Sequence, residues 1–157
     1  MLQRVLGAVV IVGMLVTVRA AAKPQDDRPN LGLVMWSSFS CATYAELSSD
    51  EKEQKRLFTV GYSVGKQFIV AIENKTVSEK ETSRAPLGVL QRLQGPSIDF
   101  MIGRIFESAA EYAFDKVVKE DSAGLPILDS RQWVLDREVM RTKAGNKFHS
   151  SNCALVR

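Results

Sequence analysis

The chain has 157 residues, 45% of them apolar and 25% charged, the proportions of an ordinary globular domain. That balance excludes a collagen-like or disordered polymer, a multi-span membrane protein and a disulfide-dense mini-protein. The formal charge of +3 comes from 21 Lys and Arg against 18 Asp and Glu; Arg4 and Arg19 lie in the first 19 residues, and no acid occurs before Asp26. Beyond the opening segment the chain is therefore near neutral, which gives no electrostatic ground for binding nucleic acid or an anionic membrane surface.

Residues 1–22 read as a signal peptide. Arg4 supplies a short positive start, residues 5–18 (VLGAVVIVGMLVTV) are uncharged and almost wholly apolar, and residues 20–22 (AAA) offer the small side chains of a cleavage site. As a helix the apolar run rises about 21 Å, short of the roughly 30 Å hydrocarbon core of a bilayer. A cleaved leader is favoured on that ground; a retained N-terminal anchor is the alternative, because Arg19 interrupts the approach to the cleavage site. The expected location is periplasmic or secreted, with no stable membrane span after signal removal. Residues 23–35, which include KPQDDRPN, read as a flexible N-terminal segment, and residues 36–157 as a single helical domain.

The chain has two cysteines, Cys41 and Cys153. In an oxidising compartment they are expected to form one disulfide that ties the beginning of the fold to its end. Free thiols, a redox pair or an intermolecular bridge are the alternatives. There is no CxxC motif, and two cysteines with the single histidine, His149, are too few for an ordinary structural zinc site, so neither metal nor cofactor is expected.

Helical spacing dominates from residue 36 onward. Residues 36–47 (WSSFSCATYAEL) read as a short lead-in helix carrying Cys41. Ser48 and Glu51 suggest a capping box for a long helix running to Asn74, with Leu57, Gly61, Val64, Phe68 and Ile72 on its core face and Phe58, Gly65 and Ile69 widening the stripe. A polar stretch with a second capping pair, Ser78 and Glu81, leads to Pro86 and a short apolar segment through Leu93, which Gly95-Pro96 terminates. Ser97 then caps a second long helix from Ile98 to about Lys119. Its core side draws on Ile98, Met101, Ile102, Ile105, Ala109, Tyr112 or Ala113, and Val117; Arg104, Glu107, Glu111 and Asp115 fall on the opposite side. A loop with Gly124 and Pro126 follows, then a short helix capped by Asp129 and a last helix from about Asp136 towards Phe148. The fold class expected is all-α: two long amphipathic helices, shorter helices and a disulfide joining the two ends.

The chemical inventory is sparse. His149 sits near a helix end, where an imidazole meets terminal carbonyls. Glu107, Glu111 and Asp115, at four-residue steps, line one helix side; paired carboxylates carry out glycoside hydrolysis, yet acids on the outer face of an amphipathic helix are ordinarily just solvated. Glu120, Asp121 and Ser122 offer too few oxygens for calcium. Asp99, in the first turn of its helix, complements the helix dipole. Gly61 and Gly65 are more informative, because each costs about 1 kcal/mol of helix propensity relative to Ala. A close helix crossing offsets that cost, with Gly103 as a candidate to lie opposite; a groove for a ligand or a partner's side chain is the alternative.

The stretches WSSFSCATYAEL, GPSIDFMIGRIFESA and SSNCALV resemble small exported proteins of Gram-negative bacteria, which implies a periplasmic helical protein. The cysteine near the start together with GYSVG is similar to helical periplasmic immunity proteins that neutralise cell-wall-cleaving toxins. From export, the sparse catalytic inventory and the strong helix patterning, the expected function is non-enzymatic, inhibitor- or immunity-like binding of a periplasmic protein partner. The alternatives are a small peptidoglycan-directed hydrolase using Glu107 with Glu111 or Asp115, and a carrier of a small apolar ligand between the long helices.

Overall fold

A computed structural model describes residues 30–157; the proposed leader and residues 23–29 of the N-terminal segment lie outside them. The described residues form six α-helices: α1 (Leu31–Leu47), α2 (Glu51–Glu73), α3 (Glu79–Arg84), α4 (Leu87–Leu90), α5 (Ile98–Val118) and α6 (Arg137–Ser150), with 3₁₀ turns at Ser130–Gln132 and Cys153–Leu155. The fold is all-α, and among the described residues no helix is long and apolar enough to cross a membrane.

The segment expected to be a short lead-in is instead the hub. α1 starts at Leu31, where the Asn30 side chain accepts from the Leu33 N–H, so the helical domain begins before residue 36 and takes in the end of the segment expected to be flexible. Residues 38–45 are all buried, and α1 packs against α2, α3, α5 and α6. A helix covered on every side shows no apolar stripe, which is why its spacing reveals so little. Small residues make the crowding feasible, and their hydroxyls turn inward to the helix: Ser38 donates to the Val34 carbonyl and Thr43 to that of Phe39.

The turn between α1 and α2 moves the expected cap. Ser48 ends α1, Ser49 adopts a left-handed conformation (φ 66°), and the Asp50 N–H closes back on the Ala45 carbonyl at 2.8 Å. Asp50 then caps α2 by accepting from the Glu53 N–H, two residues after the expected Ser48. The remaining caps fall where their spacing places them: Ser78 and Glu81 complete a reciprocal capping box, and Ser97, Asp129 and Asp136 start their helices. α4 ends at Leu90, short of the expected Leu93, and the short helix after Asp129 is a single 3₁₀ turn.

Two apolar clusters share α1. The upper one joins Met35 and Phe39 to Phe68, Ile69, Val89, Ile102 and Ile105. The lower one surrounds the disulfide with Tyr44, Leu57, Ala113, Val117 and Ala144. Cys41 and Cys153 are bonded with their Cα atoms 5.5 Å apart, fastening α1 to the turn after α6. Arg56 of α2 covers this junction, donating to the carbonyls of Val156 (2.7 Å) and Cys153 (3.2 Å) while Glu53 holds its guanidinium.

Candidate functional site

The expected glycine crossing exists, with a different partner. A Cβ on Gly61 would lie 2.6 Å from the Phe39 ring, and one on Gly65 would lie 2.7 Å from the Met35 sulfur, so both glycines let α2 close on α1. Gly103 takes no part: it is exposed, and a Cβ there would meet nothing within 4 Å. This α1–α2 crossing is filled by the side chains of Phe39 and Met35.

The acidic row follows the outer side of α5. Glu107 and Glu111 lie exposed on the outer side of α5, and Asp115 is paired with Lys119 at 2.6 Å. Glycoside hydrolysis uses two carboxyl groups flanking a substrate cleft; here Glu107 and Glu111 face solvent, and Asp115 is half-buried against Lys119. Asp99 accepts from the Tyr62 hydroxyl at 2.8 Å and faces Lys66 at 3.5 Å, a surface contact between α5 and α2. His149 is exposed at the end of α6 with its ring edge-on to Phe148, and Cys153 is spent in the disulfide.

The chemically distinctive place lies where α5 ends. Here Glu120 and Pro126 pair in an isolated antiparallel bridge, closed by Asp121 N–H to the Leu125 carbonyl and Ile127 N–H to the Lys119 carbonyl. The tight loop between them depends on two residues. Gly124 takes a positive φ of 80°, and one Asp121 carboxylate oxygen accepts from the N–H groups of Ala123 and Leu125, both at 2.8 Å. Against this loop stands the face of α6 bearing Lys143, Asn146, Lys147 and Ser150, which recur at three- and four-residue steps and therefore share one side of the helix. Between loop and helix is a cleft of about 540 Å³, lined by these four residues together with Glu120, Asp121, Ser122, Gly124, Ile127 and Val134.

Glu120 organises the cleft. Its side chain is 9% exposed, and its carboxylate takes Lys116 on one oxygen and Lys147, at 3.0 Å, on the other. Burial raises the Glu120 pKa, but the hydrogen bonds from Lys116 and Lys147 outweigh it and hold the group below its ordinary 4.5. Lys143 is placed differently: its ammonium donates to the Glu120 backbone carbonyl at 2.6 Å. Burial first, then the charge of Lys147, pulls the Lys143 pKa below the usual lysine value.

Because folding lowers the Glu120 pKa, its contribution to stability is complete above the unfolded value and drains away as pH falls through the folded one. Glu120→Gln is accordingly expected to lower stability at neutral pH by on the order of 2 kcal/mol. That is less than the loss of a fully buried pair, because Lys116 and Lys147 keep about a third of their side-chain exposure. Chemical denaturation across the acid range checks this: the gap between variant and parent should close below the ordinary carboxylate pKa, and a gap independent of pH would refute it.

Sequence spacing does not single out Glu120, Lys143 and Lys147 as a group. The available signals were the opposite charges of Lys116 and Glu120 four residues apart and the cations Lys143 and Lys147 at the same spacing; neither reveals that the two helices meet. Beside the cleft, the chain between the bridge and the first turn of α6 displays large aliphatic side chains to solvent: Leu125 is 62% exposed, Leu128 95%, Leu135 66% and Val139 48%. No protein-family model, curated protein or solved structure matches the chain.

Proposed function

We propose that this chain works outside the cytoplasm, in the periplasm or as a secreted protein, and binds a protein partner without catalysing a reaction. The observation that carries this reading is the run of exposed aliphatic side chains at Leu125, Leu128, Leu135 and Val139. Large aliphatics left exposed along a loop and the start of the helix after it are characteristic of recognition surfaces, where apolar area is withdrawn from water only on binding. The Cys41–Cys153 disulfide supports the compartment, since such bonds persist under oxidising conditions. It also supports the role, because a scaffold tied from α1 to its C-terminal turn presents a loop at low entropic cost to the complex.

Leu128→Asp combined with Leu135→Asp tests this reading. With oxidised protein as bait in extract from outside the cytoplasmic membrane of the producing cell, the parent should retain one partner in stoichiometric amount and the double variant should lose it. Both baits should give the same helical circular-dichroism signal, since neither side chain is buried. Equal retention by both baits, or cell-wall cleavage by the parent without any partner, would overturn the reading.

A further inference from the structure

We propose that the cleft between α6 and the loop 120–127 is a binding site for a small monocarboxylate with a short apolar body, whose carboxylate is received by Lys143. The inference is independent of partner binding and rests on the charge arrangement in the cleft. Three ammonium groups, from Lys116, Lys143 and Lys147, gather at Glu120, whose two carboxylate oxygens are already taken by Lys116 and Lys147. Lys143 has a backbone carbonyl as its hydrogen-bond acceptor; the charges of Glu120 and Asp121 act on it, yet among the described residues no carboxylate pairs with it directly. The remaining acid on the wall, Asp121, directs one oxygen to the N–H groups of its own loop. Counting both acids, the cluster keeps one positive charge, so a monoanion completes it while a dianion overshoots.

The rest of the lining fits the remainder of such a molecule. Ile127 and Val134 supply apolar wall, while Ser122, Asn146 and Ser150 supply neutral hydrogen-bonding groups. A volume of about 540 Å³ lies in the range of ordinary small-molecule sites and exceeds what a bare inorganic ion fills. The depressed Lys143 pKa agrees with this assignment: the ammonium is held in partial burial beside Lys147, an environment that an arriving anion relieves.

Hexanoate, hexan-1-ol and hexylammonium are the probes, titrated into the full oxidised protein at neutral pH and followed by two-dimensional amide NMR. Hexanoate at millimolar concentration should shift the amides of Ser122, Gly124, Lys143, Asn146 and Lys147 saturably, hexan-1-ol should bind about tenfold more weakly or worse, and hexylammonium should not bind. Lys143→Met should weaken hexanoate by about tenfold, whereas Lys80→Met, on the remote helix α3, should leave it unchanged. Equal response to hexanoate and hexan-1-ol, shifts confined to other helices, or undiminished binding by folded Lys143→Met would overturn the assignment. Should Lys143→Met fail to fold, the ranking of the three probes on the parent protein still decides.

Discussion

Cys41→Ser is expected to lower the unfolding free energy by about 4–5 kcal/mol in oxidising buffer, and to match the parent closely once reductant is added. The size follows from the sequence separation of 112 between the bonded residues, which makes the cross-linked loop nearly as long as the described domain. Closing so long a loop removes much of the freedom of the unfolded chain, and that freedom returns when one sulfur is lost. Native-state packing adds to the effect. Cys41 and Cys153 are 2% and 0% exposed, and they hold the C-terminal turn against Leu57 and Val117. Urea denaturation with and without reductant measures the difference, and coincident midpoints in oxidising buffer would refute it.

Gly61→Leu is expected to destabilise by on the order of 3 kcal/mol, through overpacking. The obstruction is aromatic: a Cβ at Gly61 meets Phe39 at 2.6 and 2.7 Å, and the Ser38 Cβ at 3.1 Å. Phe39 is fully buried with its ring edge-on to Phe106 at 5.3 Å, so it cannot swing away without emptying the upper cluster. Gly65→Ala provides the contrast. Its nearest obstacle is the sulfur of Met35, part of an unbranched side chain able to change rotamer, and Ala returns about 1 kcal/mol of helix propensity. That substitution should be near neutral. Denaturation midpoints of the two variants would refute the account if they fell in the opposite order.

The two glycines illustrate how far one-dimensional pattern reaches. Residues without side chains, four apart on an apolar helix face, announce a close approach, and both Gly61 and Gly65 make one. The element they meet is α1 and not the helix of Gly103, because spacing tells which residues share a face and not which helix comes to meet it. Gly103 has the same composition and lies in open solvent. α1 shows the complementary difficulty: enclosed by its neighbours, it carries buried residues on all sides and therefore lacks the periodic contrast that marks α2 and α5. The Ser48 cap failed for a local reason, since the chain needs Ser48 and Ser49 to reverse direction before Asp50 can begin the next helix.

The cleft was the least legible part. Glu120 looked like a loop acid with too few companions for calcium. Its importance comes from Lys147, which is 27 residues away along the chain and reaches it only because α6 folds back beside the end of α5. Likewise, nothing in the spacing marks Leu128 or Leu135 as exposed, and only the folded arrangement leaves them uncovered.

Helix content and most of the caps follow from the sequence by itself, because each depends on contacts within a few residues, and two cysteines leave one intramolecular pairing to expect. The central place of α1, the partner of the α2 glycines and the charged cleft under α6 were decided by tertiary structure alone. Each of these depends on which faces of distant helices are brought together, and that choice is made by the combined packing of the whole core.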